Sequence, residues 1–213
     1  MFILNTLINK YRNSKGGKLY TCFVDLRKAF DTVIYFEMKY KLLNLGLGRN
    51  FYNTIVDMYS KSETRIKVDK YLTPEFSLKL GVRQGHNPSP SLFNIFINDL
   101  PNYLECTEDS VILNDLKLHC LMYPDDLVLL STSKFGLQDK INCLNSFCSD
   151  WCLTVNIRKT KVLIFNKGGK IIKHNFFLNG ELLECVKSYK YLGLYFSASG
   201  SFATAKKELY NKS

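Results

Sequence analysis

Two apolar runs that end in acid constrain this chain more than any other feature of it. Leu121-Met122-Tyr123-Pro124-Asp125-Asp126-Leu127-Val128-Leu129-Leu130 sets two carboxylates among side chains that belong in a core, and Phe23-Val24-Asp25-Leu26 does the same far upstream. Both segments read as buried strands. Laid side by side, they would bring three carboxylates to one edge of a sheet, where their repulsion is costly unless cations neutralise it. Such a set of oxygen donors suits two Mg²⁺ ions. An Asp pair on its own is an ordinary polar turn, so the argument depends on what surrounds it.

The 213 residues suffice for one domain with a sizeable core. Lys and Arg number 29 against 19 Asp and Glu, a formal net charge of +10 spread along the chain, which suits a polyanionic partner. The seven cysteines (Cys22, Cys106, Cys120, Cys143, Cys148, Cys152, Cys185) are odd in number and lack a C-x-x-C pair, so they read as reduced core thiols rather than a zinc site. The first residues lack the basic region and cleavage site of a secretory signal, and no apolar run is long enough to span a bilayer. A soluble, intracellular protein is expected.

Periodicity predicts a helix over residues 3–11, a strand over 19–26, and helices over 33–45 and 47–59, the last with its stripe at Leu47, Phe51, Ile55 and Tyr59. Residues 64–68 and 72–80 read as paired strands. A glycine-bracketed loop, residues 81–90, then feeds a helix with Leu92, Phe93, Phe96, Ile97 and Leu100 on its apolar face. Strands over 116–123 and 127–131 form the hairpin that carries Asp125 and Asp126. A helix marked by Leu137, Ile141, Leu144, Cys148 and Trp151 follows, then a strand over 162–165, a hairpin turning at Asn179-Gly180, and a last strand over 191–197. This order predicts an α+β domain with helices on one face of an antiparallel sheet.

Taken in order, Phe23-Val24-Asp25-Leu26 through Asp31, then Gly81-Val82-Arg83-Gln84-Gly85 with Ser89-Pro90 and Leu92 to Leu100, then Tyr123-Pro124-Asp125-Asp126 closely resemble the palm of reverse transcriptases, RNA-directed DNA polymerases, and most nearly those of non-LTR, LINE-type retrotransposons. Lys159-Thr160-Lys161 and Tyr191-Leu192-Gly193 resemble two later motifs of that family, and the resemblance covers nearly the whole of residues 1–213. It implies a ferredoxin-like polymerase palm with partial fingers and no thumb. It also implies two-metal transfer of a nucleotidyl group from a deoxynucleoside triphosphate to a primer 3′-hydroxyl on an RNA template.

By the same resemblance, Asp25 and Asp125 bridge two Mg²⁺ ions, which Mn²⁺ can replace, and Asp126 assists. Phe30 packs against the sugar and excludes a 2′-hydroxyl. Arg83, Gln84 and Gly85 touch nucleotide and template, Tyr123 belongs to the nucleotide site, and Lys159 protonates the departing pyrophosphate. Partners are an RNA/DNA hybrid and a nucleotide, not a membrane, in the nucleus or a cytoplasmic ribonucleoprotein. Pro124 stands where the family usually has Ala, and His86-Asn87-Pro88 where it usually reads Cys-Pro-Leu. With those departures and the expected lack of upstream fingers and thumb, a fragment of impaired activity is expected. The alternatives are a catalytically idle nucleic-acid-binding remnant, an RNA-dependent RNA polymerase, which Phe30 argues against, and a bare ferredoxin-like interaction domain.

Overall fold

The computed structural model describes residues 1–14, 17–60, 63–77, 80–82, 87–105, 107–123 and 126–200; Arg83, Gln84, Gly85, His86, Pro124 and Asp125 lie outside these described residues. In chain order the elements begin with α1 (Phe2–Asn13), β1 (Lys18–Asp25), α2 (Tyr35–Asn44) and α3 (Arg49–Ser60). Next come β2 (Glu63–Thr64), β3 (Lys67–Val68), β4 (Tyr71–Leu72), β5 (Phe76–Ser77), α4 (Ser89–Ile97) and α5 (Leu100–Leu104). Then follow β6 (Val111–Leu113), β7 (Leu116–Leu118), β8 (Cys120–Tyr123), β9 (Asp126–Ser131), α6 (Lys134–Asp150) and β10 (Lys161–Asn166). The last are β11 (Phe177–Leu178), β12 (Glu181–Leu182), β13 (Glu184–Cys185), β14 (Ser188–Tyr191) and β15 (Leu194–Ser197).

These elements form two compact units, the first made of Met1–Arg27, Asp99–Asp150 and the described residues from Thr154 onward, the second of Lys28–Asn98 and Trp151–Leu153. The first unit is built on a five-stranded sheet in the order β13-β10-β1-β9-β8. It is antiparallel except where β13 runs parallel to β10. The central β1 is apolar on both sides, as the interior strand of a two-sided sheet must be.

On one face, Leu19 and Phe23 pack with Val128, Leu130, Leu163 and Phe165, with Leu4, Leu7 and Ile8 of α1, and with Tyr191 and Phe196 of the β14–β15 hairpin. Cys22 and Val24, opposite Leu129 and Leu127, point the other way. There α6, which touches β1 and β9 but adds nothing to the first cluster, completes the core. The expected one-sided arrangement is therefore corrected: each face of the sheet is covered, because every register position of β1 between its ends is apolar or, at Thr21, hydrogen-bonded to the Leu163 carbonyl.

In the second unit α2 packs on α3 and α4. Its core holds Tyr35 edge-on to Tyr59, and the buried ammonium of Lys41 donates to the Phe96 carbonyl while facing the ring of Trp151. The predicted stripe of α3 is only half buried: Ile55 and Tyr59 are inside, Leu47 and Phe51 outside. The expected pairing across 64–80 forms with its ladder interrupted: β3 pairs with β4 next to the turn and β2 with β5 farther from it.

Elsewhere the run 116–123 divides into β7, paired with an unforeseen β6, and β8, which joins the main sheet. The run 191–197 is not one strand, because Leu192 and Gly193 both take positive φ and fold β14 back on β15. The Asn179-Gly180 hairpin forms as expected. Among the described residues no helix is long and apolar enough to cross a membrane.

Candidate active site

Asp25 ends β1 and Asp126 begins β9, and the antiparallel register sets them directly opposite each other. Side chains so placed have Cβ atoms about 4.5–5.5 Å apart and share a face of the sheet, so two carboxylates there repel unless a cation lies between them. Tyr123, the last residue of β8, pairs with Asp126 from the other side, its ring largely exposed. The third acid of the expected set, Asp125, is outside the described residues. Among those described there is no group of three or more His, Cys, Asp or Glu side chains that could hold a metal ion.

A segment 135 residues downstream fixes the end of β1. The Asp25 N–H donates to Thr160 Oγ1 at 3.2 Å. The Asp25 carbonyl accepts from the Asn156 N–H at 2.7 Å, and the Arg27 N–H donates to the Thr154 carbonyl at 2.7 Å. Leu26 and Val155 form a bridge between these bonds. The same segment brings Lys159 Nζ to 3.8 Å from Asp25 Oδ1. The motif Lys159-Thr160-Lys161 gives no sign of the Thr160 bond to Asp25, nor does the sequence of the bridge at Val155; only the long-range pairing reveals them.

The β14–β15 hairpin forms the floor. Tyr189 stacks on Phe23 with ring centroids 4.6 Å apart, and Tyr191 meets the same ring at 5.3 Å. Burial raises the Tyr189 phenol above its ordinary value, and the charges of Asp25 and Asp126 push it further. Burial and the Asp126 charge push Tyr191 up to about 12. Both acids thus cast a negative field on the hairpin. That field and the oxygen-only donors of the pair fit a hard divalent cation.

In the second unit Phe30 is half-buried against Phe93, centroids 5.0 Å apart. Its carbonyl accepts from the Val82 N–H at 2.7 Å, and the Gly81 N–H donates to the Val33 carbonyl at 2.8 Å. Gly81 has φ +87°, and a Cβ there would come within 3.2 Å of the Asp31 backbone, so glycine is needed at this approach. The start of the 81–90 loop is thereby tied to the Phe30 segment, while Arg83, Gln84 and Gly85 fall outside the described residues. Of the thiols, Cys22 and Cys148 are buried and raised by burial, Cys148 to about 12, whereas Cys152 is exposed rather than in the core.

Residues 2–196 match the family described as reverse transcriptase (RNA-dependent DNA polymerase). The chain belongs to the reverse transcriptase family. Its relatives include the Pol polyprotein of the type-1 retrotransposable element R2 of Popillia japonica, 27% identical over 210 residues, covering 95% of this chain and 34% of the relative. Another is the RNA-directed DNA polymerase of the mobile element jockey of Drosophila melanogaster, 26% identical over 200 residues, covering 90% of this chain and 21% of the relative. These are enzymes of non-LTR retrotransposons, and the chain spans between about a fifth and a third of their length.

Among solved structures, telomerase of Candida albicans in complex with a fragment of telomeric RNA superposes with a TM-score of 0.65 at 15% identity, over 95% of this chain and 35% of that one. Apo telomerase of Candida tropicalis gives 0.63 at 16%, over 93% and 38%. At such identities the likeness establishes the fold, a mixed α/β polymerase palm. Reverse transcriptases use divalent metal ions, in keeping with the donors at Asp25 and Asp126.

Proposed function

We propose that residues 1–213 form a reverse transcriptase domain, and that Asp25, Asp125 and Asp126 hold two Mg²⁺ ions, or Mn²⁺ in their place, for RNA-directed DNA synthesis. The observation that carries this reading is the register that sets Asp25 opposite Asp126, within a chain that matches the family over residues 2–196. Bound metals would supply activation of the primer 3′-hydroxyl and neutralisation of the triphosphate. The protein's own part is positioning. The backbone bonds to Thr160 and Asn156 fix Asp25 from both sides, and a ligand misplaced by about 1 Å can cost on the order of a hundredfold in rate.

In this reading Lys159 gives a proton to the pyrophosphate oxygen as it leaves. Phe30 restricts the sugar, Arg83, Gln84 and Gly85 contact nucleotide and template, and Tyr123 completes the nucleotide site. The polyanionic partner is an RNA template with its DNA primer. Support comes from the net charge of +10 and from the telomerase structure that contains RNA. Action in the nucleus or in a cytoplasmic ribonucleoprotein follows from the family.

The test is incorporation of labelled thymidine triphosphate on poly(rA)/oligo(dT) with Mg²⁺, comparing the chain with its Asp25→Ala and Asp126→Ala variants. Incorporation that falls at least a hundredfold in both variants is expected. Hybrid binding without incorporation by the unmodified chain overturns the catalytic reading in favour of an idle binding remnant.

A further inference from the structure

The backbone that carries the cation beside Asp25 is held in place. Lys159 Nζ lies 3.8 Å from Asp25 Oδ1, with 69% of the lysine side chain and 33% of the aspartate side chain exposed. That separation is too long for a hydrogen bond and short enough for an ion pair. The backbone under the lysine is fixed: its N–H donates to the Asn156 carbonyl at 3.1 Å, as does the Thr160 N–H at 2.8 Å. The Tyr189 hydroxyl donates to the Lys159 carbonyl at 3.5 Å, and the Tyr189 ring stacks on Phe23, two residues before Asp25. The hairpin floor and β1 therefore fix the origin of the lysine side chain while its ammonium remains mobile in solvent.

We propose that Lys159 is the placeholder cation of the carboxylate pair, standing beside Asp25 until a divalent metal displaces it, with Tyr189 as the residue that positions it. Asp25 and Asp126 face each other across the register, and without a metal their repulsion is relieved in part by this ammonium. A metal bound to Asp25 brings two positive charges to within a few ångströms of Nζ, so metal and ammonium compete for one carboxylate. The largely exposed side chain can swing outward at little cost. Metal binding then raises the fraction of the ammonium that is free for an anionic group, by no more than an exposed ion pair allows. This biases the order of the two events and gives Lys159 a role that precedes any proton transfer.

The inference rests on the reading of the acids as metal ligands, and Mn²⁺ alone tests both parts. Binding to the full chain is followed from the paramagnetic resonance of free Mn²⁺, without nucleotide or nucleic acid. Lys159→Ala should bind about fivefold more tightly, the ceiling for an exposed ion pair, and Lys159→Arg should keep the original affinity. Tyr189→Phe keeps the ring and loses the hydroxyl. It should tighten binding about twofold in the original chain and not at all in the Lys159→Ala background. An equal effect in both backgrounds removes Tyr189 as the positioning residue. Binding that Asp25→Ala abolishes but Lys159→Ala leaves unchanged or weakens overturns the placeholder alone. Binding insensitive to Asp25→Ala, or absent from both the original chain and Lys159→Ala, overturns the metal reading of the acids and the placeholder with it.

Discussion

In the first unit, β1 pairs with β10 from Lys18 to Phe23 and with β9 from Tyr20 to Asp25, and six of its eight residues are buried. In the second, β2 to β5 contribute two residues each to two separate ladders, and Ile66, Val68, Tyr71 and Leu72 stay exposed, Tyr71 at 81%. The acids stand at the end of the over-determined strand. Chemistry that depends on placement to a fraction of an ångström belongs on such an element, whereas a surface with little fixed pairing can change without moving the carboxylates.

The largest expected effect follows directly. Phe23 is 1% exposed and packs against the stacked ring of Tyr189 and the tilted ring of Tyr191, so Phe23→Ala should cost about 3–5 kcal/mol in urea unfolding. A midpoint close to that of the original chain would break the contrast between the units at its strongest point.

Asp109 comes next. Its carboxylate accepts from the Ser131, Thr132 and Ser133 hydroxyls and from the Thr132 and Ser133 N–H groups, locking the end of β9 to the start of α6. Burial raises the acid, but these bonds outweigh it and hold the carboxyl below its ordinary value. The stabilisation is then present above the ordinary carboxylate range and is lost as pH falls through the lower folded value. Asp109→Ala should cost about 2 kcal/mol and remove that acid-side slope from a pH series of unfolding curves. Gly136→Ala, normally favourable in a helix, should be destabilising, because its methyl would overlap the Asp109 side chain.

The acid-ended strands were legible because β-branched and aromatic runs are local signals, and the Asn179-Gly180 turn because both residues accept positive φ, here 49° and 79°. Leu192-Gly193 makes the same kind of turn at 47° and 82°, but leucine does not advertise it, so residues 191–197 read as one strand and the rest of β14 carries no signal. Asn114-Asp115, at 46° and 67°, carries a turn signature between β6 and β7, the hairpin absent from the sequence reading, whereas the break between β7 and β8 at His119 carries none. The stripe of α3 names a face without saying whether anything covers it, hence Leu47 and Phe51 outside. At the site, Asp25, Asp126 and Lys159 were readable from motifs. The clamp at Thr160, Asn156 and Val155 and the Tyr189 floor were not, since such long-range partners leave no periodic trace.

Lys140 gives a smaller effect with a distinct pH signature. It is fully buried on α6, donates to the Leu130 carbonyl, and is pushed down to about 8 by burial, against the opposing pull of Asp109, Cys120 and Cys143. The unfolded chain therefore holds one more proton between pH 8 and the ordinary lysine value of 10.5, and stability from this group rises with pH across that window. Lys140→Met should flatten the rise and be neutral to about 1 kcal/mol stabilising near pH 7. An unchanged slope would show that the first unit tolerates a buried charge without cost, against the dense core described for it.

The smallest effect belongs to the second unit. The turn of the β3–β4 hairpin at Asp69 has φ 53°, and Thr73 closes its base, donating its N–H to the Ile66 carbonyl and accepting the Ile66 N–H on Oγ1, both at 3.0 Å. The Arg65–Glu75 pair beside it is half exposed and contributes at most about 1 kcal/mol. The hairpin's shape is thus set by backbone bonds, and the Tyr71 ring has no part in it. Tyr71→Ala should shift unfolding by no more than about 0.5 kcal/mol. A loss of 2 kcal/mol or more would mean that the ring is covered in solution, and the contrast between a two-sided core and an open hairpin would then have to be redrawn.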